Sequence, residues 1–261
     1  MASGLGLFTS LILFSWVGPL LHTVSPYAIH AHQLFQEPSW SHPLGTDDLG
    51  RSMLARMMYG GQPSLGVAMI GSVIATLLGL CYGMLSGLSP SWMDKLLMRI
   101  LDAILALPTL VLMIFFAAII SLNPISLILL LGLVSWPGLA RIVRNEVLAY
   151  KGRDYILAAR QYGAGTWYLA RTHLLRSMLP VVIVNATFTV ADLILTLAGL
   201  SFLGLGIQPP QPSWGGLLGN GSILAITGSW WLILFPGVAI VLAIMSMNMI
   251  GQGLLNRLEG H

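Results

Sequence analysis

Charge is what this sequence has least of. Lys, Arg, Asp and Glu make up 8% of its 261 residues, against about a quarter in an ordinary soluble domain. So few charges cannot clothe a soluble surface, and 56% of the chain is hydrophobic. Cysteine is nearly absent: Cys81 stands alone inside an apolar run. That excludes an internal disulfide, leaves compartment undecided, and predicts a small buried hydrophobe. Lysine is limited to Lys95 and Lys151. Neither follows a glycine-rich loop, so there is no G-x-x-x-x-G-K-[ST] with which this chain could hold ATP. H-E-x-x-H, a zinc-spaced Cys/His cluster and Gly-x-Ser-x-Gly are missing too. The six histidines are scattered, and the pair His30 and His32 reads as solvated loop and not as a metal site.

What is present is apolar length. Runs of roughly 20 residues recur, enough to cross a bilayer core of about 30 Å. They are continuous and not alternating, which argues against a β-barrel. The expected fold is an all-α membrane protein with six transmembrane helices. The spans run from about Leu5 to Leu21, Pro63 to Leu88, Leu96 to Ser121 with a kink at Pro108, Ile125 to Ile142, Met178 to Leu205, and Trp230 to Leu255. The first lacks the basic start and cleavage site of a signal peptide and reads as a retained helix. Residues 1–22 then form an N-terminal transmembrane helix, 23–62 an extracytoplasmic segment, and 63–261 a core with a polar loop at about 145–177.

Basic residues set the orientation. With both termini in the cytoplasm, ten of the twelve Lys and Arg fall inside, and only Arg51 and Arg56 lie outside, as the positive-inside rule requires. The net charge of +3 is thus loop charge facing membrane lipid and not a nucleic-acid surface. The outer segments Ser25–Ser52 and Gly206–Ser222 are rich in Pro, Gly, Ser and Trp, predicting turns and an interfacial position over regular helix.

Two intramembrane charges stand out, because charge there is expensive. Asp102 sits near the cytoplasmic start of span three and can reach the interface or pair with Arg99. Asp192 lies near the middle of span five among Asn185, Thr187, Thr189 and Thr196. It reads either as lining of a translocation path or as a helix–helix hydrogen bond. The cytoplasmic stretch "YILAARQYGAG" (155–165) is a short helix with small residues on one face, suited to a protein groove or to anionic lipid.

Longer motifs narrow this. "YILAARQYGAGTWYLARTHLLRSMLP" resembles the EAA loop of binding-protein-dependent ABC importer permeases. "HPLGTDDLGRSMLARMMYGG", "WPGLARIVRNEVL" and "LSFLGLGIQPPQPSWGGLL" are similar, in order, to segments of the second ("C") permease of the dipeptide, oligopeptide and nickel group. The likeness covers about Trp40 to Leu258. Departures are Leu157 for the loop's usual Glu, His173 and Arg176 for its Ile and Pro, Ser52 for Asp, Leu197 for Glu, and Gln62-Pro63 where an Arg is usual. "LAARQYGAG" and "LAGLSFLGLG" are also similar to the nickel and metallophore branch.

The resemblance implies a type I importer fold and a coupling helix in which Leu157, Ala158, Ala159, Arg160 and Gly163 contact an ATPase. It implies an outer-face motif of Gly45, Asp47, Gly50, Arg51 and Trp214; the candidate path along Asp192, Thr196 and Asn185 rests on the intramembrane charge and its polar neighbours alone. The implied partners are a homologous second permease, two ABC ATPases and an extracytoplasmic solute-binding protein. The implied location is the bacterial inner membrane. No cofactor is expected on this chain, with ATP and Mg held by the partner ATPases. The expected cargo is short peptides, with nickel or a metal–chelator complex as the alternative. Outside the family, the rivals are an ion-coupled secondary transporter using Asp192 and a non-transport scaffold.

Overall fold

The structure, a computed structural model, describes residues 1–120, 123–224 and 228–259. Helices α1 (Ala2–Trp16) and α2 (Gly18–Leu21) lead into a long non-helical segment. Then follow α3 (Met53–Leu88), α4 (Ser91–Leu105), α5 (Thr109–Ile119), α6 (Pro124–Ser135) and α7 (Pro137–Lys151). The short α8 (Asp154–Gln161) and α9 (Thr166–Leu169) pass through a π-helical turn, Ala170–Leu174, into α10 (Leu175–Phe202). Helices α11 (Trp214–Ile223) and α12 (Trp231–Glu259) complete the chain.

Among the described residues, three units are long and apolar enough to cross a membrane: α3, the run from Thr166 to Phe202, and α12. Two more spans are bent pairs, α4 with α5 and α6 with α7. The sixth expected span is shorter than predicted: α1 ends at Trp16, because Pro19 at the start of α2 cannot continue the ladder.

Several boundaries differ from those the apolar runs suggest. The second span begins at Met53 and not Pro63, because Ser52 caps the helix by accepting a hydrogen bond from Ala55 N. The residues between include Arg56, Tyr59, two glycines and Gln62, so hydropathy alone misses them. The third is not one kinked helix. Pro108 ends α4 and starts α5, and the two diverge by 78°. Its expected end at Ser121 lies outside the described residues. The fourth bends 40° at Trp136-Pro137 and runs on to Lys151. The fifth stops at Phe202, and the sixth extends to Glu259. Cys81 is exposed on α3, because it faces away from the packed side of that helix.

Two cores hold the bundle. The larger gathers Leu65, Leu131, Leu193, Leu197, Trp214 and Trp231 from α3, α6, α10, α11 and α12. The smaller, between α7, α8 and α10, gathers Val143, Val147, Ile156, Leu169, Leu174 and Met178. Along α3, Gly79, Gly83 and Gly87 recur every four residues and face Leu139, Val143 and Val147 of α7, also four apart. A Cβ built on those glycines would lie 2.9, 2.7 and 2.7 Å from the Cβ atoms opposite. Bare backbone on one helix thus receives branched side chains from the other, which brings the axes close.

Ion pairs sit at both ends of α3. Near Leu88, Arg144 and Ser86 hold Asp94. Asp102 pairs with Arg141 of α7 and not with Arg99, because α4 packs against α7. At the other end Asp47 lies against Arg51 and Arg56.

Candidate functional site

Three regions hold the residues that the sequence singles out. The first is the loop between α7 and α10. Helix α8 is anchored by Ile156, buried in the smaller core. Ala159 is half-buried on the same side, and Ala158 is exposed. Tyr162 N donates to Ala158 O at 3.1 Å and Ala164 N to Ala159 O at 3.0 Å, closing the helix. Gly163 makes that reversal with φ +87°, a conformation L side chains resist. Open space surrounds it. The side chains of Leu157 and Arg160 lie outside the described residues.

The same loop carries aromatics that the motif did not flag. Tyr162 is 93% exposed and Trp167 79%, flanking the Gly163 turn. Large exposed rings of this kind are enriched at the centres of protein interfaces. Their sequence signal is Trp-Tyr in a stretch with no apolar period to take them inside. His173 of the π turn lies 6.0 Å from both Tyr155 and Tyr168, fastening α8 to the base of α10.

The second region is one flank of α10. Asn185, Thr189, Asp192 and Thr196 fall at i, i+4, i+7 and i+11 and share a face. Asn185 Nδ2 donates to Val181 O at 2.9 Å and Thr189 Oγ1 to Asn185 O at 2.9 Å, so both sit close to the helix. Asp192 is exposed and, among the described residues, pairs with no other side chain. Thr187 does not join them. It donates to Val184 O and turns toward Gly251 of α12.

The third region is the rim at the start of α3. Gly45, Asp47, Gly50 and Arg51 form one tight loop, closed by a bridge between Thr46 and Ser52. Asp47 Oδ1 accepts from Leu49 N at 3.0 Å and Arg51 N at 2.9 Å, and Oδ2 from Arg51 Nε at 2.7 Å. Gly45 has φ +79°. Trp231 Nε1 donates to Thr46 O at 3.1 Å, pinning the loop to α12. Trp214 is fully buried; its Nε1 donates to Met57 O at 2.9 Å, and its backbone N to Ser64 Oγ at 3.0 Å. Trp214 therefore joins α11 to α3 from inside and does not face the rim.

A polar-striped bundle with a surface loop of exposed aromatics at one end and a braced rim at the other is the form of a membrane permease. Residues 79–260 match the family described as binding-protein-dependent transport system inner membrane component. A Brucella suis biovar 1 (strain 1330) protein named as a peptide permease is 39% identical over 252 residues, covering 96% of this chain and 83% of that one. The dipeptide transport system permease protein DppC of Bacillus subtilis (strain 168) is 36% identical over 97% of this chain and 80% of its own. The di/tripeptide transport system permease protein DppC of Pseudomonas aeruginosa (strain UCBPP-PA14) is 36% identical, with 97% and 86% covered. In fold, a chain of the MetNI methionine ABC transporter, in an inward-facing crystal form, matches with a TM-score of 0.62 at 20% identity. The match covers 77% of this chain and 97% of that one. This chain belongs to the binding-protein-dependent transport system inner membrane components. It is a multi-pass inner-membrane permease subunit of an ABC importer.

Proposed function

We propose that the chain is the second permease of an importer for di- and oligopeptides, working beside a homologous permease. Two ABC ATPases would bind below it and an extracytoplasmic solute-binding protein above. ATP and Mg would be held by the ATPases, since this chain carries no P-loop. Both termini would lie in the cytoplasm, in line with the distribution of Lys and Arg. The names of the relatives support peptides as cargo.

The observation that carries the ATPase contact is the exposure of Tyr162 and Trp167 around the open Gly163 turn, on a helix anchored by Ile156. Helix α8 is fixed to α7 and α10 on one side and free on the other. A partner pressing on Ala158, Gly163 and the rings would move both long helices together. Leu157 and Arg160 belong to the same contact, while Ala159, packed toward the smaller core, holds the helix close to the bundle. Gly45, Asp47, Gly50, Arg51 and Trp214 brace the outer face. Asp192, Asn185 and Thr196 line the path, where a carboxylate suits the ammonium end of a peptide. The same carboxylate supports nickel or a metal–chelator complex as the second reading.

The test is reconstitution. The tagged chain is purified gently from its host and assayed for bound P-loop subunits and ATP hydrolysis. Gly163→Glu, strained at positive φ by about 1–2 kcal/mol and placing a charge in the contact, should abolish ATP-driven uptake while lowering the melting temperature of the bundle by only a few degrees. Uptake at the wild-type rate overturns the docking role. Uptake that collapses with an ionophore and needs no ATPase would favour an ion-coupled transporter instead.

A further inference from the structure

A cavity of about 320 Å³ opens between the start of α3, the end of α10 with the loop that follows it, and one face of α11. Its size is that of a small-molecule site. Arg51 and Arg56 both line it, whereas Asp47 and Asp48 line a separate, smaller recess behind the same two arginines. The two arginines thus stand between the cavity and the carboxylates of Asp47 and Asp48.

Arg56 is the unusual member. It is 5% exposed, yet one guanidinium nitrogen has no hydrogen-bond partner and a second has only a long one. Nη1 reaches Pro26 O only at 3.5 Å. Nε lies 3.4 Å from Asp47 Oδ2 but makes no hydrogen bond. Arg51, by contrast, is fastened by Nε to Asp47 at 2.7 Å and approaches Asp48 with Nη2 at 3.6 Å. A buried guanidinium with unspent donors is costly. A carboxylate satisfies two of them at once through parallel N–H···O bonds. Asn220, exposed on the cavity wall, adds a neutral donor. Gln208 does not, because its Nε2 is spent on the Gly204 and Gly206 carbonyls.

We infer that this cavity is a carboxylate-binding site at the outer mouth of the permease, with Arg56 as anchor, which receives the C-terminal carboxylate of a peptide cargo. The inference rests on the peptide reading above. Leu203, on the cavity wall, lies eleven residues beyond Asp192. That is about 16 Å along α10 and close to three full turns, so the two sites stand one above the other. A carboxylate is met first and an ammonium group deeper.

The test uses the purified importer complex freed of its solute-binding protein, titrated with trialanine and with trialanine amide by saturation-transfer NMR. The acid should bind at least about tenfold more tightly than the amide. Asn220→Asp, nearly isosteric, sets a negative charge in the wall and should weaken the acid by roughly tenfold while leaving the amide unmoved. Arg56→Gln should do the same if it folds; Asn220→Asp decides the matter if it does not. Equal affinity for acid and amide, or a variant that shifts both alike, overturns the site.

Uptake into proteoliposomes with the binding protein restored gives the second readout. The acid-to-amide ratio should fall in Asn220→Asp. Weaker capture of the binding protein with an unchanged ratio would assign the carboxylate to that protein and overturn the inference. Acid-selective binding without ATP-driven peptide uptake would defeat the peptide reading and keep the carboxylate site. Uptake without acid-selective binding would do the reverse.

Discussion

Arg144 of α7 grips Asp94 of α4 at two points, with Nη2 2.5 Å from Oδ2 and Nε 3.1 Å from Oδ1. Ser86 of α3 adds a third contact, donating to Oδ1 at 2.6 Å. Three helices therefore meet at one carboxylate. The side chains keep 25% and 14% of their exposure, so the pair is only partly desolvated. Arg144→Ala should cost about 1–2 kcal/mol, between the values for surface and buried pairs. Thermal unfolding in detergent would show it. Adding Asp94→Ala should cost less than the sum of the single changes, because the second removes the stranded charge.

Trp214 is both an apolar plug and a donor. Trp214→Phe keeps most of the volume and loses the bond to the Met57 carbonyl, for about 1–2 kcal/mol. Trp214→Ala empties the site and should cost about 3–5 kcal/mol. Melting temperature in detergent should fall in that order. Equal losses would mean that the bond to Met57 carries the whole effect, and no loss in Trp214→Phe would mean that packing alone matters here.

Gly45→Ala tests the rim. The backbone stands at φ +79°, and a Cβ would come 2.7 Å from Gln36 O and 2.8 Å from Trp231 Nε1. The side chain can neither adopt the conformation nor find room. Strain of about 1–3 kcal/mol and loss of the Trp231 bond should lower the yield of folded protein, read by fluorescence-detected size exclusion.

Asp192→Asn keeps the shape of the α10 flank and removes its charge. Uptake of a cationic peptide should fall more than uptake of a neutral one, by several-fold for one unit of charge at low dielectric. Equal uptake of both by the variant would take Asp192 off the path.

The apolar runs made the spans legible in the sequence, because each is a continuous stretch of bilayer length. Their ends were not legible. The extra turns of α3 are capped by Ser52 and carry Arg56, Tyr59 and Gln62, so hydropathy does not register them. Helix α11 was hidden for another reason. "WGGLLGNGSI" has four glycines and poor helix propensity, and turns were the expected outcome. Packing decides it: Cβ atoms on Gly215 and Gly219 would come 2.7 and 3.2 Å from Ala198 Cα and Phe202 Cα of α10. The glycines that weaken the helix alone let it lie against its neighbour. At the sites, motif spacing located the Gly163 turn and the stripe through Asp192. It could not foresee the outward rings of Tyr162 and Trp167, or that Arg51 and Arg56 share a cavity. Those depend on how distant segments meet.

The seam between α3 and α7 has a mechanical consequence. With Val143 and Val147 seated over Gly83 and Gly87, α7 cannot creep along α3. It has to jump by the four-residue repeat, about 6 Å, or stay in place. The two helices therefore behave like a keyed shaft, free of backlash. Helix α3 is 36 residues long, about 54 Å, and near its far end the Met57 carbonyl accepts the hydrogen bond from Trp214 Nε1. A push delivered to the loop beyond Lys151 would arrive at the opposite end of the molecule as displacement, with little lost to slippage on the way.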